Sequence, residues 1–232
     1  MSNLILNFNN KKIKKIKNPK YILGGKGSNL AEMGRLGLPV PPGFIISTEV
    51  CKLFYKNKKR LPKQVLKSIQ LELKTIEKLT SRKFGDLKNP LLVSVRSGAR
   101  VSMPGMMDSI LNLGLNDQTV KALAKKTGNG RFAKESYRRF IQMYSNVVLN
   151  IEGHLFEGMI DSQKLNKGVL LDTELEENDW DELIQRFKEL VKKQTKKKFP
   201  QSVQEQLYGA ISAVFLSWDS QRAKTYRKLN QI

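Results

Sequence analysis

The sequence predicts an α+β fold for this chain of 232 residues. Short apolar runs with the composition of strands occur at residues 4–8, 44–46 and 91–96. Amphipathic helical periodicity separates these runs, and it dominates the pattern after Asn116. We therefore expect an α/β subdomain formed by residues 1–115 and 200–232, with a mainly helical subdomain of residues 116–199 inserted between its two parts.

The first helix is expected to follow a glycine-rich loop. Residues 24–27, Gly-Gly-Lys-Gly, allow a tight turn, and Ser28 or Asn29 can cap a helix that Gly37 ends. The apolar face of this helix is predicted to contain Leu30, Met33 and either Leu36 or Leu38. Upstream, an edge strand at residues 4–8 leads into a lysine-rich connector.

Two further helices are expected after the second strand. Ser47 or Thr48 caps a helix that continues to about Tyr55, and apolar residues at helical spacing predict another helix over residues 65–79. The run at residues 91–96, Leu-Leu-Val-Ser-Val-Arg, then has the composition of a buried strand.

Helices dominate the predicted inserted subdomain. Asn116 caps a helix that stops at Gly128, and the aromatic stripe of residues 132–148 predicts a longer helix with its aromatic side chains in the core. From residue 151 to about residue 171 the pattern is irregular. Asn178 is expected to cap the next helix. Carboxylates in the first turn of that helix and lysines in its last turn suit the helix dipole.

The most regular apolar stripe lies near the end of the chain. Ser202 and Glu205 form a predicted capping box, and apolar residues continue at helical spacing from Val203 to Trp218. A last, short helix is expected over residues 222–229.

The positive charge suggests a nucleic-acid partner, but the type of basic residue does not support one. The net charge is +21 and the sequence pI is about 10.0, and basic side chains that neutralise phosphates drive non-specific binding. However, the chain has 31 lysines and 11 arginines, with runs in connectors and at helix ends. No helix-turn-helix, zinc-finger spacing or aromatic RNA-binding strand is visible. A solvated, lysine-rich surface is the simpler interpretation.

The composition predicts a cytoplasmic protein without a membrane partner. No apolar run approaches the roughly 18 residues that a membrane span requires. At the N-terminus the basic residues follow a short apolar run, which is the opposite of the order in a signal peptide. The single cysteine, Cys51, excludes an internal disulfide and fits a reducing compartment.

Two arginines beside a pliable segment form the first candidate site. Arg96 ends the strand-like run, Arg100 follows four residues later, and Pro104-Gly105 predicts a turn. Arginine forks at a rigid strand end, together with loop N–H groups, suit a polyphosphate. The alternative is an arginine paired with a neighbouring acid beside an ordinary hairpin, and the residue types favour neither interpretation.

Lys26, which glycines flank on both sides, is the second candidate. Its ammonium would be presented from the glycine-rich loop at the start of a helix. The loop is not a Walker A motif, because Gly27 stands where that motif requires Ser or Thr. On this motif alone, a tight strand-to-helix turn with an exposed lysine is the simpler interpretation.

Four blocks of sequence occur in the order GGKGSNLAEM, PVPPGF, SVRSGARVSMPGMMDSILNLGLN and AVFLSWDSQRAKTYR. Together they resemble the N-terminal, nucleotide-binding part of the pyruvate, phosphate dikinase family, and they extend across almost the whole chain. Related dikinases that use water instead of phosphate resemble the first blocks but carry an acidic-rich segment after the arginine. The SMPGMMDSILNLGLN continuation therefore points to the phosphate-using family.

The resemblance implies that the chain is the first part of an ATP-grasp-like domain. Lys26 and Arg96 match the family's lysine and arginine that face the ATP phosphates, and Arg100 is either a third such cation or a structural residue. The residues that match a loop close to the nucleotide are Gly105, Met107 and Asp108.

For the complete enzyme, the resemblance implies a homodimeric kinase that transfers ATP phosphoryl groups to phosphate and, through a phosphohistidine, to pyruvate, giving phosphoenolpyruvate. Ligands for Mg²⁺, the reactive histidine and the pyruvate site are expected beyond Ile232. His154 does not match that histidine and receives no role. No catalytic or metal-binding residue is assigned to this chain, and alone it is expected to bind Mg-ATP weakly and to turn nothing over.

Two alternatives belong to other functional classes. The first is a basic module that binds nucleic acid or another polyanion through its lysine surface, without catalysis. The second is a non-catalytic remnant that regulates a partner, for which the residues contain no distinguishing feature. The dikinase interpretation requires Lys26 and Arg96, far apart in sequence, to lie beside a common anion pocket.

Overall fold

The computed structural model describes residues 4–8 and 16–231. The chain divides into two compact units. Unit 1 comprises Met1–Ser81, Arg96–Asp108 and Val214–Ile232, whereas unit 2 comprises Arg82–Val95 and Ser109–Ala213. These boundaries differ from those of the predicted subdomains, so the predicted division after residues 115 and 199 stays a prediction.

Short strands and longer helices make up both units. In chain order the elements are β1 (Ile5–Asn7), α1 (Pro19–Arg35), β2 (Phe44–Ile46), α2 (Thr48–Lys56), α3 (Lys63–Thr80), β3 (Lys83–Phe84), β4 (Pro90–Leu91), β5 (Val93–Arg96), β6 (Ser109–Leu113), α4 (Thr119–Thr127), α5 (Gly130–Val147), α6 (Gly153–Lys167), α7 (Glu177–Thr195), α8 (Val203–Ser217) and α9 (Gln221–Leu229). The described strands pair only two by two, as β1–β2, β3–β4 and β5–β6. The predicted α+β class is confirmed. Within the described ranges, no helix is long and apolar enough to cross a bilayer.

A small apolar core holds the first part of unit 1 together. β1 and β2 are antiparallel, with Leu6 opposite Ile45, and these central residues are the buried ones of each strand. Leu23 and Ala31 of α1 complete the cluster. Gly27 lets α1 approach β2 closely, since a Cβ added there would lie 3.1 Å from Cδ1 of Ile45.

Unit 2 has a larger, aromatic core centred on α5, which packs against α4, α7 and β6. Tyr137, Phe140 and Tyr144 of α5 surround Phe199 with ring-centroid distances of 6.4, 5.8 and 5.6 Å. The predicted core role of the aromatic stripe is confirmed for these residues, whereas Phe132 is exposed. Burial disfavours the ionised form of a phenol, and it therefore raises the pKa of Tyr137 and Tyr144.

Several predictions from local sequence pattern are confirmed. α3 covers the predicted residues 65–79, α9 the predicted residues 222–229, and Gly128 ends α4 in the left-handed conformation. Asn116 accepts hydrogen bonds from the N–H groups of Gln118 and Thr119 before α4. These signals act over a few residues, so distant parts of the chain do not override them.

The glycine-rich segment is not the predicted loop. α1 begins at Pro19, upstream of the glycines, and only Gly24 inside it has non-helical dihedral angles. Caps at Ser28 and Asn29 are therefore wrong predictions, since both residues lie inside the helix. The predicted apolar face is wrong as well, because Met33, Leu36 and Leu38 are exposed.

The run at residues 91–96 does not form a single buried strand. β4 ends at Leu91 and β5 begins at Val93, with Ser94 and Arg96 exposed. A strand in a two-stranded sheet can leave one face to solvent, which an apolar composition alone does not reveal.

The region with an irregular pattern contains a helix, α6, over residues 153–167. Its periodicity is obscured because the polar Gln163 occupies a buried position, where it donates to Asp179 Oδ1 at 3.2 Å. The predicted cap of the next helix is wrong. α7 is capped by Glu176 rather than Asn178. The N–H of Glu176 donates to Asp179 Oδ2 at 3.0 Å, completing a capping box. Residues 11–15 of the predicted lysine-rich connector lie outside the described residues.

Candidate functional site

A break at Gly24 shapes the start of the candidate site in unit 1. Gly24 has φ 70° and ψ 172°, so the helical geometry of α1 is interrupted there and resumes at Gly25. A Cβ at Gly24 would lie 1.5 Å from the carbonyl oxygen of Gly98. Only glycine can occupy this position, both because of its positive φ and because the backbone of the arginine segment passes so close.

The two candidate segments are joined by a backbone hydrogen bond. The N–H of Gly25 donates to the carbonyl oxygen of Ala99 at 2.8 Å. A Cβ built on Gly98 would lie 3.8 Å from the Cβ of Lys26, so the base of the Lys26 side chain lies directly beside the Ser97–Arg100 loop. The tertiary structure thus brings together the Lys26 and Arg96 segments, which are far apart in sequence.

The candidate cations are exposed, and the described residues provide no acidic partner for them. Lys26, Arg96 and Arg100 are all exposed. Across residues 4–8 and 16–231, no ion pair within 4.0 Å involves any of the three. The alternative of an arginine paired with a neighbouring acid therefore does not describe Arg96 or Arg100 in this part of the chain.

Arg100 stacks on an aromatic ring. Its guanidinium carbon lies 4.8 Å from the centroid of the Tyr21 ring, in α1 just before the glycine break. A guanidinium over a ring face keeps its N–H donors at the edges free for an anion. The Tyr21 carbonyl accepts a hydrogen bond from Thr48 Oγ1 at 2.6 Å, which ties this turn of α1 to the start of α2.

The predicted Pro104-Gly105 turn is present and exposed. Gly105 has φ +71°, and the N–H of Met106 donates to the carbonyl oxygen of Met103 at 3.1 Å. Met103 is buried and Met107 is half-buried. The turn is therefore exposed, while the buried and half-buried methionine side chains on either side of it attach this segment to unit 1.

Asp108 pairs with a residue that the sequence patterns did not single out. Its Oδ1 contacts Nη2 of Arg222 in α9, 114 residues away in sequence. Its N–H also donates to Ser217 Oγ at 3.5 Å. The available sequence signal was Arg222 itself, a cation in the first turn of a helix, where the helix dipole disfavours positive charge.

The described residues provide no metal centre of their own. Among residues 4–8 and 16–231, no group of three or more His, Cys, Asp or Glu side chains could hold a metal ion. His154 is exposed, with its Nδ1 atom 3.2 Å from Oε2 of Glu152. It belongs to unit 2, whereas the candidate residues belong to unit 1. The site geometry is that of anion-binding groups, namely exposed cations and a glycine-lined backbone approach.

Sequence comparison identifies the family to which these residues belong. Residues 20–80 and 57–232 match the sequence model described as pyruvate phosphate dikinase, AMP/ATP-binding domain. The chain belongs to this family. It is 53% identical over 214 residues to pyruvate, phosphate dikinase of Clostridium symbiosum, and the matched region covers 92% of this chain and 24% of that protein.

Other dikinases show a similar relationship. The identity is 49% over 209 residues to the Entamoeba histolytica enzyme, covering 90% of this chain and 24% of that protein. It is 50% over 216 residues to the chloroplastic enzyme of Flaveria pringlei, covering 93% of this chain and 22% of that protein. The chain thus spans about a quarter of the length of the curated relatives that it matches, and the match is to their N-terminal region.

Proposed function

We propose that this chain is the ATP-binding front part of a pyruvate, phosphate dikinase and that Lys26 and Arg96 bind the phosphates of ATP. The observation that carries the proposal is the contact between their two segments, made by the Gly25–Ala99 hydrogen bond and the Gly24–Gly98 approach. Arg100 is the third cation of the proposed site, and the adjoining loop supplies Gly105, Met107 and Asp108.

The residues present fit a polyphosphate on physical grounds. Three exposed cations, for which residues 4–8 and 16–231 offer no acidic partner, can make charge-assisted hydrogen bonds to phosphate oxygens. Lys26 lies in the first turn after the helical geometry resumes at Gly25, where backbone N–H groups and the helix dipole favour an anion. The exposed Gly105 turn leaves room for a ligand, since a Cβ there would meet no atom within 4 Å.

In the complete enzyme, the proposed reaction moves phosphoryl groups of ATP to inorganic phosphate and, through a phosphohistidine elsewhere, to pyruvate. Mg²⁺ would neutralise developing charge on the phosphates, with ligands supplied by the rest of the enzyme. The role proposed for Lys26 and Arg96 is to orient the transferring phosphoryl group and stabilise its charge. An ATP-grasp-like fold, a cytoplasmic location and a homodimer belong to the same proposal, as does the division into residues 1–115 plus 200–232 and residues 116–199.

Binding of ATP to the chain itself tests the proposal. We expect weak binding, with Kd of about a millimolar, visible as shifts of the ATP phosphate resonances in ³¹P NMR with Mg²⁺ present. Loss of one charge-assisted contact costs about 1.5–3 kcal/mol, so Lys26→Ala or Arg96→Ala should abolish measurable shifts. Lys67→Ala and Arg82→Ala, which remove exposed cations outside the site, serve as matched controls and should bind like the unsubstituted chain.

Three outcomes would contradict the proposal. Low-micromolar affinity or dikinase turnover by this chain alone would show that the site needs no further residues. Equal loss of binding in the control variants would show that only net charge matters. Salt-sensitive retention of an RNA probe that Arg96→Ala leaves unchanged would favour a polyanion-binding module instead.

A further inference from the structure

Local hydrogen bonds hold the corner between α8 and α9, residues 217–222, in unit 1. Ser217 Oγ donates to the carbonyl oxygen of Val214 at 2.8 Å, and Ser220 Oγ donates to that of Ser217 at 2.8 Å. Ser220 also caps α9 by accepting from the N–H of Ala223. These bonds satisfy polar groups at the end of one helix and at the start of the next, so the direction of α9 is defined locally.

An arginine farther along α9 reinforces the corner. The Arg227 guanidinium lies 4.1 Å from the centroid of the Trp218 ring, and its Nη1 donates to the Trp218 carbonyl at 2.6 Å. A cation held both over the ring and on the backbone oxygen resists rotation of α9 about the corner. This sequence block resembles the dikinase family, yet the proposed phosphate contacts give it no task.

Arg222 is placed where helix electrostatics alone would not favour it. It is the second residue of α9, and the positive end of the helix dipole is at this terminus. The carboxylate of Asp108 pairs with it, and a negative charge near a helix N-terminus is favourable. Asp108 therefore compensates the position of Arg222 and is held by it at the same time.

This pair holds one end of the exposed loop, while an apolar anchor holds the other. Met103 is buried at 7% exposure, and the Asp108 carboxylate pairs with Arg222 while the Asp108 N–H reaches Ser217. The exposed Pro104-Gly105 turn lies between these two points. With both ends attached, the tip has fewer conformations to lose when a ligand orders it.

We infer that Arg222 is a positioning residue that, through Asp108, holds the Met103–Asp108 loop in the orientation that meets the nucleotide phosphates. The inference rests on the proposed function for its ligand, but the attachment itself concerns only unit 1. It assigns a task to the α8–α9 block. It also refines the role proposed above for Asp108, which contributes to binding by holding the loop in place rather than by touching the nucleotide.

The attachment is tested by hydrogen exchange in the ligand-free chain. The amides of Met106 and Asp108 are hydrogen-bonded in the loop, so their exchange reports its opening. Arg222→Gln should accelerate both by about 2–5-fold, the range expected for an exposed ion pair. Arg222→Lys should restore most of the protection, and Lys228→Gln, which removes an exposed cation from the same helix, should leave both rates unchanged. Thermal unfolding of each variant checks that α9 remains folded.

The link to the nucleotide is tested by ³¹P NMR titration with Mg-ATP on the same variants. Arg222→Gln should weaken binding by about 2–5-fold, with recovery in Arg222→Lys and no effect of Lys228→Gln. Unchanged exchange in Arg222→Gln would refute the attachment. Faster exchange with unchanged affinity would refute the positioning role. No binding even by the unsubstituted chain would instead refute the proposed function, while the exchange rates would still decide the attachment.

Discussion

The arginines on α5 in unit 2 and those of the candidate site in unit 1 differ in how their charge is neutralised. On α5 in unit 2, Arg131, Arg138 and Arg139 each lie within 4.0 Å of a carboxylate, and Glu135 takes part in all three pairings. In unit 1, Arg96 and Arg100 have no such partner among the described residues. Paired arginines stabilise the packing of their own unit, whereas unpaired exposed ones keep their hydrogen-bond donors available for an anion.

The difference extends to the polar groups around each arginine. Arg138 is buried at 5% exposure, with its guanidinium 4.7 Å from the Trp180 ring centroid, and loss of hydration lowers its pKa. Arg131 donates to the carbonyl oxygens of Leu175 and Asp172 at 2.6 and 2.9 Å. Substitutions in unit 2 should therefore change stability, and those in the unit 1 site should change ligand binding.

The largest effect is expected at Gly24. In Gly24→Ala the new methyl group would overlap the Gly98 carbonyl oxygen at a positive φ, and we expect a loss of about 3 kcal/mol or more in stability. Gly37→Ala is the matched control, because its φ is +77° but no atom lies within 4 Å of the added Cβ. Gly37→Ala should lower stability only by the cost of placing a non-glycine residue in the left-handed conformation, about 1–2 kcal/mol. Urea unfolding measures both, and equal losses would contradict the close approach.

The second effect concerns a complete dikinase that carries this segment. Lys26→Ala or Arg96→Ala should slow phosphoryl transfer from ATP by about 10²-fold, since each removes a cation that stabilises transition-state charge. The pyruvate half-reaction should be spared. Isotope exchange measures the two half-reactions separately. Equal loss in both half-reactions would point to a folding defect and would contradict the distinction between the α5 arginines and those of the candidate site.

Cys51 provides a third measurement, outside the proposed phosphate contacts. Burial raises the pKa of this thiol to about 11, whereas a nearby unpaired cation would lower it. At pH 8 the native chain should react with iodoacetamide about tenfold more slowly than the urea-unfolded chain, because about a hundredfold less thiolate is present while each thiolate is about tenfold more nucleophilic. The difference should shrink as the pH approaches 11. Rapid alkylation at pH 8 would place uncompensated positive charge beside α2.

The smallest effect is expected for Arg131→Gln in unit 2. Removal of its donors leaves two carbonyl oxygens without this partner, which should cost about 1–2 kcal/mol in stability. Affinity for Mg-ATP should not change. Arg96→Ala should show the reverse pattern, with stability altered by less than about 0.5 kcal/mol. A common pattern for both variants would contradict the proposed difference between paired and unpaired arginines.

Sequence patterns predicted the features that depend on a few neighbouring residues. The helix at residues 65–79, the glycine end of α4 and the Pro104-Gly105 turn all follow from local backbone preferences. The family resemblance went further, because the matched blocks carry information about a whole fold. Helix α6 was missed, since a buried glutamine among apolar positions hides its periodicity.

By itself, the sequence determined the helical periods, the family and the presence of basic residues at Lys26, Arg96 and Arg100. Only the tertiary structure decided that the backbone of Gly25 meets that of Ala99, that no described acid neutralises Arg96, and that Arg222 holds Asp108. Periodicity and capping are consequences of bonds between near neighbours. The partners of an exposed charge depend on which distant segments the packed core brings together, and no short stretch of sequence specifies that.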